Sequence, residues 1–151
     1  SSERHPPDRI VEDCLPLVKH LLAKSDIEVL QSHTATRQIQ MNRTELQQVL
    51  VNLMVNAIHA MPDGGTLKLV TSDGDGTPPG VTLSVADTGM GMAPDVLARI
   101  FDPFYTTKRR EGTGLGLSIS QTLISRQGGV IDVSSDLGEG TTFTIWLPEA
   151  S

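Results

Sequence analysis

The chain has 151 residues, enough for one domain with a proper core, and a formal net charge of −6, which argues against a general nucleic-acid or anionic-membrane surface. Hydrophobic residues make up 38% and aromatics 3%, so the core must be mostly aliphatic. No apolar run approaches the roughly 20 residues of a membrane span, and no secretory signal is visible. The lone Cys14 cannot make an internal disulfide, which fits a reducing compartment. The first residue is Ser, not Met, so the expectation is a fragment or a processed chain.

From Ile10 to Lys24, apolar residues at Val11, Cys14, Val18 and Leu21 form a helical stripe. Pro16 inside it is expected to kink the helix or to mark its true start. "IEVLQSH" and "TRQIQM" then read as two short strands. Asn42 to Met61 gives the strongest helical pattern. Asn42 with Glu45 three residues on resembles a capping box, and Leu46, Leu50, Leu53, Ala57 and Met61 recur at helical spacing as a buried face. Pro62 and "DGG" stop this helix.

"TLKLVTS" and "VTLSVAD" read as a hairpin across the turn-rich "DGDGTPPG". Gly89 to Gly112 has little regular pattern beyond a short helix near Pro94 to Ile100. It is long for a structureless connection, and such segments are usually functional or disordered. Gly114 to Arg126 reads as a helix ended by "QGG". "VIDVSS" and "TTFTIWLP" close the chain as a hairpin across "DLGEG". This order lacks the regular alternation of a parallel doubly wound fold. It predicts an α/β sandwich of two layers, a mixed sheet with about three helices on one face, and a single domain over residues 1–151.

The stretch "REGTGLGLSIS" places Gly112, Gly114 and Gly116 at alternate positions before a helix. Glycines let a backbone approach a ligand, and a helix opening there offers free N–H groups to an anion. A plain surface loop has the same composition. The G-x-x-x-x-G-K-[ST] loop is absent, since no Lys follows Gly116. The dinucleotide fingerprint would need a buried strand where "TTKRREG" stands.

Asn52, Asn56 and His59, extended by Gln48, share one face of the long helix, away from its apolar stripe. Polar residues on such a face are commonly just solvated. A neutral amide oxygen, however, suits Mg²⁺, which takes few protein ligands beside water and phosphate oxygens. Asp87 ends an apolar strand, and Gly89 and Gly91 follow at alternate positions. A carboxylate only accepts hydrogen bonds, so a purine partner must donate; adenine offers an exocyclic amine where guanine offers a carbonyl. "IFDPFYTTK" gathers three of the chain's five large aromatics, and Lys108 behind Thr106 and Thr107 is suited to meet phosphate.

Taken in order, these strings resemble the catalytic, ATP-binding domain of sensor histidine kinases. "NLMVNAIHAM" looks like the N box, "DTGMGM" the G1 box, "FDPF" the F box and "GTGLGL" the G2 box. The resemblance runs from roughly Asp8 to Pro148. Its wording is most similar to kinases of the nitrogen-regulation and oxygen-sensing type. It implies the Bergerat ATP-binding fold, shared with type II topoisomerase, MutL-like and heat-shock chaperone ATPases.

By that resemblance, Asn56 would bind Mg²⁺, and Asp87 would take the adenine amine, with Thr141 sharing a water. Gly89 and Gly91 would let the backbone pass the base. Phe101 to Thr113 would form an ATP lid in which Thr106, Thr107 and Lys108 reach the terminal phosphates. Gly112, Thr113, Gly114, Leu115, Gly116 and Leu117 would bring backbone N–H groups to the phosphates.

The sequence departs from the pattern at two places. Where many such kinases carry Lys and Tyr after "NAx", this chain has His59 and Ala60, so this helix lacks those two phosphate contacts and offers one hydrogen bond from His59 in their place. Where related hydrolases place a general-base Glu, it has Asn52, which cannot take a proton from water. Asn52 and Lys108 are thus the candidate catalytic positions, and the expected reaction is transfer of the terminal phosphate from Mg-ATP.

The implied partners are a phosphoacceptor helical-hairpin dimerisation domain of the same kinase and a downstream response regulator, with no nucleic acid and no direct membrane contact. The implied location is cytoplasmic, in a parent kinase that is soluble or anchored. None of His5, His20, His33 and His59 sits in an H-[ED]-x-x-x-P acceptor motif. The alternatives are an ATP-hydrolysing conformational switch of the topoisomerase or chaperone kind, and a degenerate interaction module that binds no nucleotide.

Overall fold

The structure, a computed structural model, describes residues 3–74, 76–103, 105 and 116–151. In chain order the elements are β1 (Glu3–His5), α1 (Pro7–Lys24), β2 (Ile27–His33), β3 (Ile39–Met41), α2 (Arg43–His59), β4 (Gly65–Gly74), β5 (Gly80–Asp87), α3 (Pro94–Leu97), α4 (Gly116–Arg126), β6 (Val130–Asp136) and β7 (Gly140–Pro148). Five strands form one sheet in the order β2-β4-β5-β7-β6. The β2–β4 pair is parallel and the others are antiparallel. A separate ribbon pairs β1 with β3. The two-layer sandwich with a mixed sheet is thus the fold observed.

Strand alternation decides which sheet face is covered, since successive side chains point to opposite sides. Leu67, Leu69, Leu83, Val85, Phe143 and Ile145 face the helices and are buried. Lys68, Ser84, Thr142 and Thr144 alternate with them on the other face. Leu46, Leu50, Leu53 and Ala57 of α2 fill the centre of the core against α1, α4 and β5, as their spacing predicts. Asn42 caps α2: its side-chain oxygen accepts from the Glu45 N–H at 3.0 Å. Cys14 is fully buried, and burial first, then the charge of Asp13, pushes its thiol up to about 12. Such a thiol stays protonated and inert.

One expectation is narrowed and one is corrected. Of the two readings of Pro16, the true start is excluded, since α1 begins at Pro7 and runs through it. It sits on the exposed side of the helix, where water can satisfy the carbonyl that loses its partner. The strand expected over "TRQIQM" shrinks to Ile39–Met41. Asp73 takes the Thr36 and Arg37 N–H groups at 2.9 and 3.2 Å, so these residues are bound to a side chain instead of a ladder. Arg37 also donates to the carbonyls of Gly74 and Gly80, pinning this segment to the β4–β5 hairpin. Among the described residues, no helix is long and apolar enough to cross a membrane.

Candidate nucleotide site

The end of α2, the end of β5, the segment that follows it and the start of α4 meet around a cleft of about 160 Å³, open to solvent on one side. Asn56 lines it from α2 and Ala60 from just past that helix, Asp87 from β5, Leu117 from α4, and Thr141 and Phe143 from β7. Met92, Val96 and Ile100 add an apolar wall, and Tyr105 stands at its edge. The site is therefore a mostly apolar slot with a few polar groups at fixed places.

Asp87 is held by the backbone. Its Oδ1 accepts from the Gly89 N–H at 2.8 Å and from the Thr141 N–H at 3.3 Å. The first is the local turn that Asp side chains favour. The second joins β5 to β7 where their ladder runs out, one step past the Ala86–Thr142 pair. Thr141 is itself buried, and its hydroxyl lies 2.8 Å from Ser135 Oγ.

The glycines after Asp87 have a reason in the protein's own backbone. A Cβ on Gly89 would stand 2.4 Å from the Ala60 carbonyl oxygen. One on Gly91, whose φ is +68°, would stand 2.0 Å from the Asp136 carbonyl. Both would overlap, so this loop packs backbone to backbone against the end of α2 and the β6–β7 turn. Hydrogen bonds stitch the same contacts: Met90 N–H to Ala60 O at 3.1 Å, and Gly138 N–H to Met90 O at 2.7 Å.

Of the residues singled out from the sequence, the cleft gathers Asn56, Asp87, Gly91, Leu117 and Thr141. Asn52, His59, Gly89 and Gly116 lie outside its lining. Asn52 bridges two helices instead. Its Nδ2 donates to Ser120 Oγ at 3.4 Å, and a Cβ on Gly116 would come within 2.7 Å of its Oδ1. The absence of a side chain at Gly116 thus lets α4 approach α2. Thr106, Thr107, Lys108, Gly112, Thr113, Gly114 and Leu115 lie outside the described residues, as does most of the expected lid.

The apolar wall has no signal in the motifs. Ile100 and Phe143 belong to the hydrophobic core and Val96 packs against it, and the edge-on contact of Phe101 with Phe143 at 6.4 Å shows that core and wall are continuous. Tyr105 carried a signal within the aromatic cluster. It lies under the Arg99 guanidinium, 4.7 Å from its ring centre. Among the described residues there is no cluster of three His, Cys, Asp or Glu side chains that could hold a metal.

The profile of the family described as "Histidine kinase-, DNA gyrase B-, and HSP90-like ATPase" matches residues 41–151. The chain belongs to this family, and within it to the ATP-binding domains of sensor histidine kinases. Sensor histidine kinase ZraS of Escherichia coli strain K12 is 38% identical over 165 aligned positions, covering 93% of this chain and 35% of ZraS. The chain thus spans about a third of the length of that relative.

The nucleotide-free catalytic domain of histidine kinase ThkA superposes with a TM-score of 0.87 at 26% identity, covering 99% of this chain and 96% of that one. ThkA has also been solved in complex with the response regulator protein TrrA. Full-length ShkA in complex with AMPPNP superposes with a TM-score of 0.88 at 32% identity, covering all of this chain and 32% of ShkA.

Proposed function

We propose that this chain acts as a single catalytic domain that binds ATP with Mg²⁺ and passes the terminal phosphoryl group to a histidine on a separate helical-hairpin dimerisation domain. A response regulator would receive it next, in the cytoplasm. The observation that carries this reading is the pairing of Asp87 and Asn56 in one apolar cleft. Asp87, gripped by two backbone N–H groups, fits the amine of adenine, and the slot between Met92, Ile100 and Phe143 fits a flat ring. Asn56 brings a neutral amide to the same cleft from the facing helix, the donor type suited to Mg²⁺ beside phosphate oxygens. The AMPPNP complex of ShkA and the regulator complex of ThkA support the ligand and partner classes.

When bound, Mg-ATP supplies the phosphoryl group and the neutralising cation; the chain's task is positioning and exclusion of water. Asn52 supports transfer over hydrolysis. Its Nδ2 donates to Ser120 Oγ between α2 and α4, and an amide cannot act as a base toward water. Lys108 and the glycines at 112, 114 and 116 are assigned to the phosphates by their place in the motif order.

The test is incubation with terminally labelled Mg-ATP, alone and with a dimeric hairpin fragment of the parent protein. The expected result is no acid-labile label on this chain and label on the hairpin's histidine in the mixture. Stable labelling of His5, His20, His33 or His59, or an unlabelled hairpin, overturns the proposal.

A further inference from the structure

Ser135 is not itself part of the cleft lining, yet its hydroxyl is the hub beneath it. Ser135 Oγ accepts from the Met92 N–H at 2.8 Å, reaches the Gly140 carbonyl at 3.1 Å, and lies 2.8 Å from Thr141 Oγ1. A serine hydroxyl has one proton to give and two lone pairs. The Gly140 carbonyl can only accept and the Met92 N–H can only donate. The arrangement that satisfies all three partners sends the Ser135 proton to Gly140, leaving the Thr141 hydroxyl to donate its own proton to Ser135.

Thr141 therefore turns its proton away from the cleft that it lines. What it presents there is a lone pair, beside the Asp87 carboxylate that accepts from its N–H. We infer that Ser135 is a positioning residue for purine selection: by taking the Thr141 proton it makes the floor of the cleft an acceptor-only surface, which favours a base with an exocyclic amine over one with a carbonyl at the same edge. This rests on the reading of the cleft as an adenine site and adds a residue outside the motifs that carry that reading.

The two bases to compare are adenine and hypoxanthine, which differ at that edge and lack guanine's extra amine. With Ser135 in place, a carbonyl oxygen meets two acceptors and no donor, and a polar group left unmet on binding costs about 1–3 kcal/mol. Removing the Ser135 hydroxyl frees the Thr141 proton to rotate toward the cleft and meet that oxygen.

The experiment measures Mg-ATP and Mg-ITP binding by competition for the wild-type chain, S135A, T141V and the S135A/T141V pair. The expected result is an ATP-over-ITP ratio that narrows at least about fivefold in S135A, the low end of that cost at about 1.4 kcal/mol per decade. T141V should narrow the ratio too, and adding S135A to it should change the ratio no further. If S135A weakens both nucleotides by one factor, Ser135 merely props the Met92 segment and the inference fails. It fails equally if the S135A narrowing persists without the Thr141 hydroxyl. Should circular dichroism show S135A unfolded, T141V decides: an unchanged ratio there overturns the inference. A wild-type chain that binds neither nucleotide sinks the function proposed above and this inference with it, whereas ATP binding with an unmoved ratio sinks the inference alone.

Discussion

Gly140 lies directly on the backbone of Asp87: a Cβ on Gly140 would stand 2.0 Å from the Asp87 carbonyl oxygen, and its φ of +130° is one that side-chain-bearing residues rarely adopt. The first residue of β7 is thus pressed against the last residue of β5, and this contact sets where the Asp87 carboxylate sits. Gly140→Ala should lower the melting temperature and weaken nucleotide binding together, since strain of this kind costs about 1–3 kcal/mol before the overlap is counted. Gly138, with φ +84° and nothing within 4 Å of its would-be Cβ, is the control; Gly138→Ala should cost only about 1–2 kcal/mol and leave binding intact. Thermal melts and nucleotide titrations of both variants check this.

Asp87 should make the cleft prefer ATP over GTP by at least about tenfold, because guanine would set a carbonyl against the carboxylate, at about 1.4 kcal/mol per decade. Asp87→Asn supplies a donor at the same place and should narrow the preference. Competition binding decides, and comparable wild-type affinities for the two nucleotides would remove Asp87 from the base site.

Asn56→Ala should weaken nucleotide binding more in the presence of Mg²⁺ than in its absence, because it removes one neutral oxygen ligand. Calorimetric titration with and without the ion measures the difference. Equal losses in both conditions would show that Asn56 does not hold the metal.

Asp73 carries a pH dependence whose sign is fixed by its partners. The Thr36 hydroxyl, then the Thr36 N–H, hold its carboxyl below the ordinary value of 3.8. A carboxylate lowered on folding stabilises the fold above its unfolded pKa, and that stabilisation is lost as pH falls through the lower, folded value. The melting-temperature gap between wild type and Asp73→Asn should therefore be constant near neutrality and close as pH drops below about 4. A gap that widens in acid would contradict the assignment.

Asn42→Ala removes the oxygen that takes the Glu45 N–H. It should destabilise the chain by about 1 kcal/mol, and Asn42→Asp should retain most of that stability. Chemical denaturation of the two variants tests the cap.

What the sequence determined by itself was local. The cap at Asn42, the Leu46, Leu50, Leu53 and Ala57 stripe, and the two hairpins after it are set by neighbours within a few residues, where propensity and period act. The order of the boxes likewise marks Asn56, Asp87 and Leu117, and the resemblance adds Thr141; the fold brings all four to one cleft.

What only the tertiary structure decided depends on residues far apart in the chain. The parallel seating of β2 on β4, the three-residue ribbon of β1 and β3, and the tolerance of Pro16 on an exposed helix side have no local signature. The same holds for Asn52, whose polar face reads as solvated but meets Ser120 and Gly116 of α4. In the sequence Gly91 is expected to let the backbone pass a base, and Gly140 reads as part of the hairpin turn in "DLGEG". In the fold they are places where one backbone lies against another, at Asp136 and Asp87, with no room for a Cβ. Such contacts follow from packing density, and packing is settled only when every element has taken its place.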